Sequence, residues 1–118
     1  MTLRVSTTYL IDTLQDARAR TLELVNGLDQ VQLMGPKISG VNPLRWEIGH
    51  IAYFYESFIL RQLYGHESVL GVKADELYDS IAVAHDTRWD LPLLSMTETL
   101  TYMKDVLDKL CEHLISLS

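Results

Sequence analysis

At 118 residues, 47% of them hydrophobic and 22% charged, the chain has room for one core and too much apolar content for a disordered segment. Two independent domains are therefore excluded, and residues 1–118 read as one. A formal net charge of −6, with ten Lys and Arg dispersed among sixteen Asp and Glu, excludes a general nucleic-acid binder, whose phosphate contacts need clustered cations. The first twenty residues lack the basic-then-apolar order of a signal peptide, and no apolar run approaches the ~20 residues of a membrane span, so a cytoplasmic protein without membrane contact is expected.

In chain order, Leu10, Leu14, Ala17, Thr21, Leu24 and Leu28 recur at gaps of three and four. That spacing predicts a helix from Thr8 to Leu28, capped by the hydroxyl of Thr7 or Thr8 and ended by the glycines of NGLD and GPKISG. Residues 29–42 read as a loop. Asn42 as N-cap and Pro43 at the first helical position open a second helix, running to Tyr64 and stopping at Gly65. One side of it carries Leu44, Ile48, Ile51, Tyr55, Phe58, Ile59 and Gln62. Another carries Trp46, His50, Tyr53, Phe54, Ser57 and Arg61, so this helix is apolar or aromatic around most of its girth and belongs at the centre. Residues 65–94 hold no sustained period, although ADELYDSIAVA is compatible with a short helix; a connection this long is usually functional or a structured crossover. Ser95 and Glu98 form an S-x-x-E capping box ahead of a third helix with Leu100, Met103, Leu107, Leu110 and Leu114 as its stripe, and Cys111 reads as a small packing residue within it. The sum is an all-α antiparallel helix bundle with a long crossover, with three long helices present and a fourth missing.

Four histidines are candidates for chemistry. None has a second histidine three or four residues away, the spacing by which one helix supplies two metal ligands. His66, just after Gly65, reads as a solvent-facing residue or a helix-dipole partner, and His113, with Lys109 and Asp105, as part of a polar surface stripe. His50, one turn from both Trp46 and Phe54, has two readings: a core histidine bonded to a neighbour, the commoner case among aromatics, or a metal ligand. Gly49 beside it permits a close approach by another helix or a ligand, at a helix cost of about 1 kcal/mol. In the crossover, His85, Asp86, Arg88, Trp89 and Asp90 fall within six positions; a mutually paired structural knot is favoured there over a substrate-binding cluster. No nucleophile elbow, phosphate-cradling glycine loop or CxxC pair is present.

NPLRWEIGHIAYFYESFIL resembles the histidine-bearing second helix of the DinB-like domain found at the amino end of the non-haem iron sulfoxide synthases of ergothioneine biosynthesis. ELYDSIAVAHDTRWDLPL, followed by the TLTYM helix, is similar to the crossover in the branch that includes selenoneine synthases. The resemblance runs from about residue 8 onward. It implies a four-helix bundle in which three histidines bind iron(II), with His50 at the position of the first and the other two on an H-x-x-x-H helix that has no counterpart before Ser118. Trp46, Tyr53, Phe54 and Arg61 are read either as lining a cavity around His50 or as helix packing, and the two readings account for them equally.

Two functional expectations follow. The first is the N-terminal iron-binding module of an oxidoreductase that joins sulfur or selenium to a trimethylated histidine; this chain alone would be inactive and hold iron weakly or not at all, its partners being the missing fourth helix and a C-terminal catalytic domain. The second is a non-catalytic interaction module that dimerises with a second copy of itself to complete its bundle.

Overall fold

In the computed structural model, which describes residues 5–117, the side chain of Ser6 accepts a hydrogen bond from the Tyr9 amide and starts α1, Thr7–Val25. The cap therefore sits just ahead of the expected Thr7 or Thr8. The helix also ends three residues before Leu28, because Gly27 takes a left-handed conformation with φ +82° and the chain starts again at once. That restart is α2, Gln30–Met34, inside the stretch expected to be loop. Asp29 and Gln32 form a reciprocal capping box around it, and Leu33 is buried.

The central helix α3 spans Leu44–Tyr55, with Pro43 rather than Asn42 at its cap; Pro43 offers its carbonyl to the Glu47 amide at 2.9 Å. Asn42 is used otherwise. Its amide donates to Glu47 at 2.6 Å, and its side-chain oxygen accepts from Arg88 at 2.9 Å. From Glu56 to Arg61 the helix widens into a π-helical turn, a feature with no sequence signature and one that recurs at functional sites. Gly65, at φ +68°, then closes the element by donating to the Arg61 carbonyl.

The crossover holds α4, Val72–Tyr78, shorter than the apolar run suggests because the Asp79 carboxyl accepts the amides of Ile81 and Ala82 and turns the chain. A single 3-10 turn, His85–Thr87, follows. The capping box of Ser95 and Glu98 forms as expected and opens α5, Met96–Ser116.

The core lies between α3, α4 and α5. Trp46, Ala52, Leu60, Tyr78, Tyr102 and Val106 are its most deeply buried members. It is set on α3 by a stripe running between the two sides expected from the helical wheel, so Leu44, Ile51 and Phe58 from the expected apolar side are 41–51% exposed. The peripheral member is α1. It touches the core through Leu14 and Val25, yet none of its residues is fully buried and Leu24 is 79% exposed. The architecture is the expected all-α helix bundle with a long crossover. Three long helices are present among the described residues, without a fourth. No helix among them is long and apolar enough to cross a membrane.

Burial has a pH consequence. Removal from water pushes the Tyr78 hydroxyl up to about 12, and burial with the neighbouring Asp75 carboxyl pushes Tyr53 to about the same value; burial and then the Glu56 carboxyl raise Tyr102 further still. A hydroxyl held protonated in the fold but free to ionise near 10 in the unfolded chain stabilises fully below pH 10, and that stability is lost as pH rises toward 12. Thermal melts across this window should show a loss on the order of 3 kcal/mol from Tyr78 alone. The buried Tyr78 hydroxyl, followed by the NMR signals of its own ring, should ionise together with unfolding and not before it.

Candidate functional site

Spacing by four on α3 places Trp46, His50 and Phe54 one above another. The Trp46 and His50 rings stack with centroids 4.5 Å apart and planes at 14°, and Phe54 meets the imidazole edge-on at 6.5 Å. Gly49 lets α4 approach here: a Cβ at this position would overlap the ring of the fully buried Tyr78. That approach brings the Tyr78 carbonyl 2.8 Å from His50 Nδ1. A carbonyl only accepts, so Nδ1 carries the proton, and in the neutral ring the lone pair is on Nε2. Metal-binding histidines are usually fixed in this way, by a carbonyl that holds one nitrogen protonated and leaves the other to coordinate.

His50 lies half-buried on the wall of an open depression of about 310 Å³, with Tyr53, Phe54, Phe58, Asp79 and Ile81 among its neighbours. Two residues expected at this wall are drawn elsewhere. Trp46 is buried beneath it, donating its indole N–H to the Leu77 carbonyl at 2.7 Å, and Arg61 reaches Asp75 at 2.9 Å. The same Asp75 oxygen accepts from Tyr53 at 2.6 Å. Together those two donors hold the Asp75 carboxyl below its ordinary range, Tyr53 contributing most.

The crossover block is spent largely on backbone. Arg88 is buried, with its guanidinium 4.0 Å from the Trp46 ring centre, and donates to the Asn42 side chain and to the carbonyls of Ser80 and Val83. His85 meets the Val41 carbonyl at 2.7 Å, and Trp89 donates to the Gly35 carbonyl at 3.2 Å. Asp86 and Asp90 are exposed. The block thus ties the loop before α3 to the crossover and backs the stack that supports His50, without reaching the depression itself.

Sequence reading missed three contributors: Tyr78, whose carbonyl orients His50; Asp75, which gathers Tyr53 and Arg61; and Glu56, a fully buried carboxyl that accepts from Tyr102 and from the Val69 amide. All three partnerships span more than a dozen residues, and no local pattern announces them. His66 and His113, expected as separate surface residues, in fact meet, with their Nε2 atoms 2.6 Å apart.

As a metal site the donors are incomplete. His50 has the tautomer of a ligand, but among the described residues no three His, Cys, Asp or Glu side chains come together, and iron chemistry that leaves positions open for substrates relies on about three protein donors. The residues at hand fit one ligand of such a set and do not fit the set.

Comparison with known proteins agrees with this helical architecture. Residues 13–118 match the DinB superfamily. The hercynine oxygenase of Mycolicibacterium smegmatis is 32% identical over 111 residues, covering 92% of this chain and 25% of that protein. The hercynine oxygenase of Mycobacterium tuberculosis is 34% identical over 91 residues, covering 76% and 21%. The chain spans a quarter or less of the length of these relatives.

Proposed function

The chain belongs to the DinB superfamily, and we propose that it acts as the iron-binding helical module of a hercynine-oxygenase-type enzyme, with His50 Nε2 as one of the metal's protein ligands. The observation that carries the reading is the bond from His50 Nδ1–H to the Tyr78 carbonyl, which holds a ligand-ready imidazole on the wall of an open depression. The remaining donors lie outside the described residues, in polypeptide of the kind that makes up the rest of the longer relatives. Bound iron(II) would supply the oxidative chemistry that joins sulfur or selenium to the ring of a trimethylated histidine. The chain's own residues do three things: Tyr78 fixes the tautomer, Trp46 stacks on the ring and limits its rotation, and Phe54, Phe58 and Ile81 give the depression an apolar wall.

The exposure of that wall favours a second reading. Phe54 is 55%, Phe58 51% and Ile81 97% exposed, a patch that a second copy of this chain would cover in a dimeric interaction module. One experiment separates the two. His50→Ala in the longest gene product containing this sequence should lower bound iron to a small fraction of the parent level and leave the sedimentation coefficient unchanged. Full iron occupancy in that variant removes His50 from the site, and a chain that sediments as a metal-free dimer supports the interaction module.

A further inference from the structure

We propose that His66 and His113 form a second site, for a divalent transition-metal ion of the zinc, nickel or copper type, separate from the depression at His50. His66 borders a second depression, which shares no lining residue with the one at His50. Gly65, four residues past the π-helical turn, takes a left-handed backbone, and the His66 amide is then pinned to the Leu60 carbonyl at 2.8 Å, which sends its side chain toward α5. From α5, His113 is held by Tyr64, whose ring stacks on the imidazole at 4.0 Å with planes at 13°. The two imidazoles converge with centroids 4.7 Å apart, at 78° to each other, and Nε2 facing Nε2 at 2.6 Å.

Two facing ring nitrogens cannot both carry a proton. The arrangement suits either one shared proton or one bound cation; negative surroundings stabilise both, and a divalent ion the more for its double charge. Beside His66 an open depression carries the carboxyls of Glu67, Asp105, Asp108 and Glu112 against Lys109, with Lys104 paired to Asp108 at 2.6 Å; carboxyls still outnumber cations, so the local potential is negative and solvent has access. Imidazole pairs select zinc, copper and nickel over magnesium and calcium, which prefer oxygen donors. Metal–nitrogen bonds of about 2.0–2.1 Å at a tetrahedral angle place two donor nitrogens roughly 3.3 Å apart. The rings therefore need to open by less than about 1 Å, within the freedom of half-buried side chains. No third His, Cys, Asp or Glu completes a three-donor set among the described residues, so water fills the remaining positions and binding is reversible.

Equilibrium dialysis of the chain against Zn2+, with Ni2+ and Mg2+ in parallel, tests this. One Zn2+ per chain is expected, unaffected by excess Mg2+, with affinity falling at least tenfold in His66→Gln and in His113→Gln and unchanged in His50→Ala. Long-range 1H–15N spectra of the imidazoles give a readout independent of folding in the variants, since Zn2+ should shift both Nε2 resonances in the unmodified protein. Absence of saturable Zn2+ uptake, uptake that survives both glutamine variants, or Nε2 signals that report only a shared proton would overturn the site. Because His50→Ala serves as the control, failure of the zinc site leaves the iron module untouched, and failure of the iron module leaves the zinc site untouched.

Discussion

Gly49→Ala should destabilise the protein by roughly 2 kcal/mol or more, although helix propensity alone predicts a gain of about 1 kcal/mol. The reversal comes from Tyr78. A methyl group at position 49 would overlap its ring, and that ring is fully buried, near Tyr102 and Trp46, with no open space to swing into. Either the ring leaves its rotamer or α4 backs away from α3. Moving α4 also lengthens the bond from His50 Nδ1 to the Tyr78 carbonyl, so the variant should lose the fixed tautomer along with stability. Urea unfolding gives the first effect and the imidazole nitrogen shifts of His50 the second. A double cycle with Tyr78→Ala isolates the clash: with the ring gone, the alanine at 49 should cost nothing or stabilise. A Gly49→Ala protein that unfolds at a higher urea concentration than its parent would mean that α4 does not pack there.

How much of the fold and the site is legible in the sequence divides along contact range. Helix starts are readable where side chain and backbone meet within three residues: Ser95 and Glu98 announce α5 directly, and Asp29 with Gln32 announces α2 by the same reciprocal pattern, which is easily passed over in a five-residue helix. The spacing of Trp46, His50 and Phe54 yields the stack, since four residues is one turn. Periodicity does not say which side of α3 faces the core. The helix is apolar on most of its girth, and the π-helical turn at Glu56–Arg61 shifts the register of the residues beyond it. The apolar spacing of α1 predicts a buried stripe, whereas α1 stays at the edge with no residue fully covered. Partners such as His66 with His113, 47 residues apart, or His50 with the Tyr78 carbonyl, 28 apart, exist only once the crossover has folded back.

Glu56→Ala should cost roughly 3–5 kcal/mol, among the largest losses expected of a single truncation in this chain. Glu56 is fully buried and stands where the π-helical turn begins. One carboxyl oxygen accepts from the Tyr102 hydroxyl at 2.8 Å, reaching α5; the other accepts from the Val69 amide at 2.7 Å, reaching the crossover. Alanine leaves the buried Tyr102 hydroxyl and the part-buried Val69 amide without this partner and a cavity between three elements, so the transfer, cavity and unsatisfied-donor costs add. Glutamine tests the reasoning at nearly constant volume. It keeps one acceptor but turns an amide N–H2 toward one of the two donors, so it should cost about 1–3 kcal/mol, between parent and alanine. Tyr102→Phe combined with Glu56→Gln should recover part of that loss, since the phenyl ring asks for no acceptor. The unfolding midpoint in urea orders the variants, and hydrogen exchange locates the effect: the Val69 amide should be strongly protected in the parent and exchange much faster in Glu56→Ala. Equal midpoints for Glu56→Ala and the parent would show that this carboxyl does not join the crossover to the bundle.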